Sequence, residues 1–175
     1  MILSLVGMPG SGKSTVGRQL ARRLRLPFFD SDHVIEQRLG CSIREYFAQA
    51  GEDAFRDHEQ QVLSDLVRGG EAVVATGGGA VLREANRRCL RESGKVVYLR
   101  STPEDLYRRL RHDTQRLLLQ VADPLAKLRT LFAERDPLYR ETAHFPIETG
   151  RPSVPTLVNM IIMQLELAGG LPTPP

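Results

Sequence analysis

A run of apolar residues, Ile2-Leu3-Ser4-Leu5-Val6, leads without a break into the nonapeptide GMPGSGKST at residues 7–15. Residues 7–14 satisfy the pattern GxxxxGK(S/T), and the helix-forming string VGRQLARRL follows at 16–24. A strand, a glycine loop and a helix in that order commit the chain to an α/β architecture. The glycines let backbone N–H groups wrap a polyphosphate. The lysine, Lys13, reaches the β and γ phosphates, and the hydroxyl of Ser14 ligates Mg²⁺. Glycine makes up about 7% of average composition, so a chance match in a chain this long has odds on the order of one in a hundred. The flanking strand and helix lower those odds, and a nucleoside triphosphate is the expected ligand.

At 175 residues the chain has the size of one domain with a core of its own. Hydrophobic residues at 41% and charged residues at 26% are ordinary for a soluble globular protein. They leave room for one nucleotide site and one small substrate. Residues 1–168 are expected to form that domain, and the closing GGLPTPP, 169–175, reads as a flexible tail. The net charge of +3 is mild, and arginine carries most of the basic charge because Lys13, Lys95 and Lys127 are the only lysines. The arginine fork suits phosphate and carboxylate. No basic run argues for a nucleic-acid partner. Cys41 and Cys89 lack metal-type spacing and read as reduced structural thiols. The apolar start is too short for a signal peptide, and no segment approaches the ~20 apolar residues of a membrane helix. The expected location is the cytoplasm.

Short apolar runs at 2–6, 27–29, 72–75, 96–99 and 145–147 read as strands. Helical stretches lie between them, near 13–25, 31–39, 42–50, 52–68, 83–93, 103–111 and 124–140, with a last one near 154–167. That last stretch sets Val158, Ile161, Ile162 and Leu165 on one face. Alternation of this kind builds a parallel sheet covered by helices on both faces, with ligands beyond the carboxyl ends of the strands. The segment 112–123 lacks a clean helical period and is the candidate lid.

Chemistry-bearing residues fall just after the strands. Asp30 and Asp32, in FFDSD, are placed to accept from a water on Mg²⁺ or from a substrate hydroxyl; the alternative is that Ser31 or Asp32 caps the next helix. Arg56, in GEDAFRDHE, and Arg135, in LFAERDPLYRE, form a plausible clamp for an anionic substrate. Arg135 continues the inward face of Leu128, Leu131 and Phe132, where a charge needs a ligand or an internal salt bridge. Gly77, Gly78 and Gly79 follow the strand AVVAT and allow close approach to the backbone, or make a tight turn. Thr76 adds a hydroxyl near the phosphates. Arg116, in the candidate lid, is able to swing over a transferring phosphoryl group. His33, His58, His112 and His144 show no metal spacing and no paired nucleophile, and read as incidental.

In order, GMPGSGKST, FFDSD, FRDHE, ATGGGAV, QRLLL, ERDPLYRE and the Arg-Pro at 151–152 resemble the shikimate kinase family over essentially the whole chain. The resemblance implies transfer of the ATP γ-phosphate to the 3-hydroxyl of shikimate, on the route to chorismate and the aromatic amino acids. It implies a three-layer α/β/α P-loop kinase fold with a five-stranded parallel sheet in the order 2-3-1-4-5, a lid loop, and a monomer. Carried over by position, Lys13 contacts the β and γ phosphates. Gly10, Ser11, Gly12 and Thr15 cradle the phosphates, while Ser14 binds Mg²⁺ and Asp30 holds its water shell. Asp32 becomes the candidate base on the shikimate hydroxyls. Arg56 and Arg135 become the carboxylate clamp, with Gly77, Gly78 and Gly79 lining the substrate. Arg116 is the lid arginine, and Arg151 lies where the family packs around adenine.

The family usually has proline after the lid arginine, where this chain has Leu117, and that loss is expected to loosen the open lid. Two other readings compete. A gluconate-kinase-like or nucleoside-monophosphate-kinase-like enzyme does not explain FRDHE together with ERDPLYRE. A catalytically silent relative is expected to lose Lys13, Asp32 or Arg135, and all three are present.

Overall fold

The computed structural model describes residues 1–111 and 121–169. Five parallel strands stand in the order β2-β3-β1-β4-β5: β1 (Ile2–Val6), β2 (Phe28–Asp30), β3 (Ala72–Ala75), β4 (Lys95–Arg100) and β5 (Phe145–Glu148). This is the expected order. Among the described residues eight α-helices connect and cover them: α1 (Lys13–Leu24), α2 (Ser31–Leu39), α3 (Ile43–Ala50), α4 (Glu52–Arg68), α5 (Glu84–Ser93), α6 (Pro103–Leu110), α7 (Pro124–Thr142) and α8 (Val154–Leu167). Boundaries differ from the expected ones by a residue or two, as frayed ends do. A 3₁₀ turn at Ala80–Leu82 was not expected.

The central strand β1 is buried along its whole length, and its alternation assigns the two faces. Ile2 and Val6 join Val74, Val96 and Tyr98 under α5 and α7, whereas Leu3 and Leu5 join Val73, Val97 and Leu99 under α1 and α8. Buried on both sides, these strands read as continuous apolar runs. On α8, Val158, Ile161 and Leu165 are buried as expected, together with Leu157. A third cluster, around Ile35, Phe55 and Val62, holds α2, α3 and α4 together beside the sheet. The carboxyl ends of β1, β2 and β3 therefore open toward α1, α2 and α4. That end of the sheet holds the site.

Candidate active site

Gly10 and Gly12 adopt φ of 81° and 93°, left-handed conformations that glycine takes without penalty. Gly12 is the N-cap of α1 and brings no side chain, so the first-turn N–H groups of the helix face the loop's concavity. Lys13 is buried, and its Nζ donates to the carbonyls of Gly7 and Met8 at 2.7 and 2.8 Å. Ser11 Oγ is buried and makes no hydrogen bond, an orphan in a loop built for anions. Ser14 is half-buried and Thr15 exposed. A cavity of about 500 Å³ lies over this loop, bounded by Lys13, Ser14, Asp30, Asp32, Thr76 and Leu110. Its volume suits a nucleotide and a small acceptor together.

Asp30 ends β2 and caps α2: its Oδ1 accepts from the backbone N–H groups of Asp32 and His33. The cap is thus Asp30, not Ser31 or Asp32. Ser31 Oγ instead accepts from the N–H of Gly77 at 3.2 Å. Ser14 Oγ donates to Asp30 Oδ2 at 2.5 Å, setting a hydroxyl beside a carboxylate, both hard oxygen donors. Among the described residues no cluster of three His, Cys, Asp or Glu could hold a metal alone. The pair fits Mg²⁺ in the manner of nucleotide sites, where one or two protein oxygens act with phosphates and water.

The acceptor side is a smaller pocket of about 180 Å³ that includes Asp32, Arg56, Glu59, Arg135 and the three glycines. Burial, then the charges of Asp30 and Glu59, push Asp32 up to about 6, against the pull of Lys13. Arg56 Nη1 donates to Glu59 at 2.9 Å, and Nη2 faces Glu52 at 3.5 Å. Glu59 is itself buried, which pushes its pKa up, while Arg56 and then Arg135 pull it back. For Arg56 the internal salt bridge therefore exists. Yet Arg56 Nε remains a buried donor without a partner, so the guanidinium is not satisfied by protein alone. Arg135 is half-buried on the inward side of α7, as expected.

The glycines have three separate reasons. A Cβ on Gly77 would come 2.5 Å from Asp32 Oδ1, and one on Gly78 would come 2.7 Å from Pro9 Cδ. On Gly79 it would meet the Arg56 guanidinium, with Nη1 at 2.6 Å. A tight turn alone would not demand all three.

Other expectations need amendment. Thr76 lines the cavity over the phosphate loop, as expected, but its hydroxyl donates to the Leu5 carbonyl at 2.9 Å and so also ties the end of β3 to β1. His144 is not incidental: its Nδ1 accepts from the N–H of Val96 at 3.0 Å, beside a backbone bond from its own N–H to the Val96 carbonyl. Arg151 is exposed after β5. Arg109, which carries no motif, bridges that segment to the phosphate loop, donating to Thr149 O at 2.6 Å and Ser11 O at 3.5 Å. Glu59 also escaped notice, although its spacing three residues after Arg56 was a usable signal. Arg116 and Leu117 lie outside the described residues, as does most of the candidate lid.

Known proteins agree with this geometry. The shikimate kinase family model matches residues 9–166. A shikimate kinase of Ralstonia nicotianae is 60% identical over 164 residues, 94% of this chain and 86% of that protein. One of Paracidovorax citrulli is 58% identical, over 99% of this chain and 96% of that protein. The solved shikimate kinase of Acinetobacter baumannii, in complex with shikimate, superposes with a TM-score of 0.88 at 45% identity, covering 98% of this chain and 95% of that one. With the matched span, the strand order and the residues of both pockets taken together, the chain belongs to the shikimate kinase family.

Proposed function

We propose that this protein transfers the γ-phosphoryl group of ATP to the 3-hydroxyl of shikimate, giving shikimate 3-phosphate and ADP in aromatic amino acid biosynthesis. One observation carries the choice of acceptor: Arg56, with a buried unpartnered Nε, and Arg135 line the same pocket as the Asp32 carboxylate. Two guanidinium groups suit one carboxylate, and a carboxylate base suits a hydroxyl. That combination describes a small polyol acid.

In this reading Gly10, Ser11, Gly12 and Thr15 hold the triphosphate through backbone and hydroxyl groups, and Lys13 leaves the Gly7 and Met8 carbonyls for the β and γ phosphates. Ser14 would hold Mg²⁺ directly and Asp30 through water. The ion would neutralise charge on the phosphates when bound. Arg56 and Arg135 fork the acceptor's carboxylate, and Gly77, Gly78 and Gly79 let its ring lie against backbone. Asp32 then accepts a hydrogen bond from the 3-hydroxyl and takes its proton as the oxygen bonds to phosphorus. Positioning and charge carry such a reaction more than covalent chemistry does. Arg116 and Arg151 are assigned to the phosphates and the adenine by resemblance, and Arg109 joins the adenine side because it links Ser11 to Thr149. The same reading takes 1–168 as one catalytic domain working as a cytoplasmic monomer. Among the described residues no helix is long and apolar enough to cross a membrane.

The test is ADP release with MgATP and, in turn, shikimate, quinate, gluconate and nucleoside monophosphates. Shikimate is expected to give the fastest turnover. Release no faster with shikimate than without an acceptor would overturn the assignment.

A further inference from the structure

Helix α7 carries Arg135 and, one turn later, Tyr139. The Tyr139 side chain is wholly buried, and its hydroxyl donates a 2.6 Å hydrogen bond to the carbonyl of Gly78. The neighbouring carbonyls are held differently: Gly77 O accepts from Ala80 N–H and Gly79 O from Leu82 N–H, both at 3.1 Å. Among the described residues, only the middle carbonyl of this ridge of three glycines relies on a side chain from a distant helix. Burial pushes the Tyr139 phenol up to about 12, with the Arg135 guanidinium opposing that push. The phenol therefore stays protonated at neutral pH and donates to Gly78, with the charge of Arg135 acting on it from one turn earlier in α7. On its other side Gly78 is pressed against Pro9 of the phosphate loop.

We propose that Tyr139 is a positioning residue of the acceptor site. Through one hydroxyl it sets both the glycine ridge and the reach of Arg135, and so the affinity for the acceptor's carboxylate. It touches no reacting atom. The inference rests on the functional reading above, in which Arg135 grips that carboxylate.

Tyr139→Phe keeps the ring and its packing against Tyr98, whose centroid is 5.0 Å away, and removes only the oxygen. The carbonyl of the half-buried Gly78 then loses its donor, and the oxygen on which the Arg135 charge acts is gone. The KM for shikimate should rise roughly tenfold with kcat within about twofold, the pattern of lost binding rather than lost chemistry. Tyr98→Phe is the matched control, because its hydroxyl donates to Asp136 at 2.7 Å in the same core but away from the ridge. It should lower the melting temperature comparably and leave KM alone. Each variant is assayed well below its own melting midpoint. Calorimetric titration with shikimate adds a cycle: in an Arg135→Lys background, Tyr139→Phe should shift affinity by less than about twofold, because the two act as a unit. An active wild type with unchanged KM in Tyr139→Phe overturns the inference alone, and so does an equal KM change in Tyr98→Phe. A wild type without shikimate turnover overturns the functional reading, and this inference with it.

Discussion

Gly79 sits at φ −95° and ψ 6°, a conformation open to any residue. Alanine there brings no backbone strain and restricts the unfolded chain, which by itself adds about 0.4–1 kcal/mol of stability. The new methyl's three nearest neighbours all belong to the Arg56 guanidinium, with Nη1 at 2.6 Å and Cζ at 2.7 Å. Ordinary contact at a Cβ begins at 3.4 Å and Nη2 lies closer still than Nη1, so the guanidinium must retreat by roughly 1 Å. The far end of a long side chain yields at small cost, but Glu59, 2.9 Å away and buried, holds Arg56 from the other side and limits where it can go. A positioning group misplaced by about 1 Å costs on the order of 100-fold. For Gly79→Ala, kcat/KM for shikimate should therefore fall roughly 100-fold, about 2.7 kcal/mol of transition-state stabilisation, with most of it in KM. The melting temperature should stay within a few degrees, since the entropic gain offsets the strain on Arg56. Initial rates of ADP release against shikimate concentration, with a melting curve on the same sample, make the measurement. A folded Gly79→Ala protein with wild-type kcat/KM would refute the reasoning, because Arg56 would then be free to work from elsewhere.

Two pH effects follow from named contacts. Asp32 is expected to act as a carboxylate, and burial holds it near 6, so kcat/KM should fall about tenfold per pH unit below that point. The carboxyl ¹³C shift of Asp32 in the free protein should titrate there too, and a midpoint near the usual 3.8 would sink this account. Asp32→Asn should nearly abolish turnover with the fold intact. His144 behaves oppositely to a stabilising cation. Partial burial, then Arg91 and Lys95, hold it below its usual value, and its Nδ1 accepts from Val96 only when unprotonated. The unfolded chain then binds the proton more readily, so this stability is complete above about pH 6.5 and is lost as pH falls through that value. Denaturant unfolding at pH 7.5 and 5.5 should show the loss in wild type and not in His144→Asn, whose amide oxygen can accept but cannot titrate; equal losses in both would remove His144 from the explanation.

What was legible in the sequence, and what was not, follows a physical line. Strands and helices were readable because burial on two faces leaves β1, β3 and the middle of β4 almost wholly apolar, broken only by Ser4, while α8 shows its period in Val158, Ile161 and Leu165. Lys13 stood out as a candidate from the phosphate-loop pattern, Asp32 from its strand end and Arg135 from an inward helix face where a charge is costly without a use, with Arg56 as the second arm of a clamp. The cap at Asp30 and the Arg109 bridge were not, since each depends on which side chain wins a local contest for hydrogen bonds, whereas Glu59, three residues after Arg56, left a signal in its spacing. Glycines show the limit most clearly. Three in a row announce that something comes close, and nothing in the string says what. The contacts answer with Asp32, Pro9 and Arg56, from α2, the phosphate loop and α4. Successive Cα atoms stand about 3.8 Å apart across a trans peptide, a spacing no side-chain motion alters. The proposed base, the donor loop and the proposed clamp are thus each pressed against consecutive marks of one backbone ruler. The spacing of those marks is fixed by covalent geometry, while Asp32 and Arg56 meet them through rotamers held by Asp32's burial and by Glu59, so the ridge, with the Tyr139 bond on its middle carbonyl, is the fixed side against which the others are set.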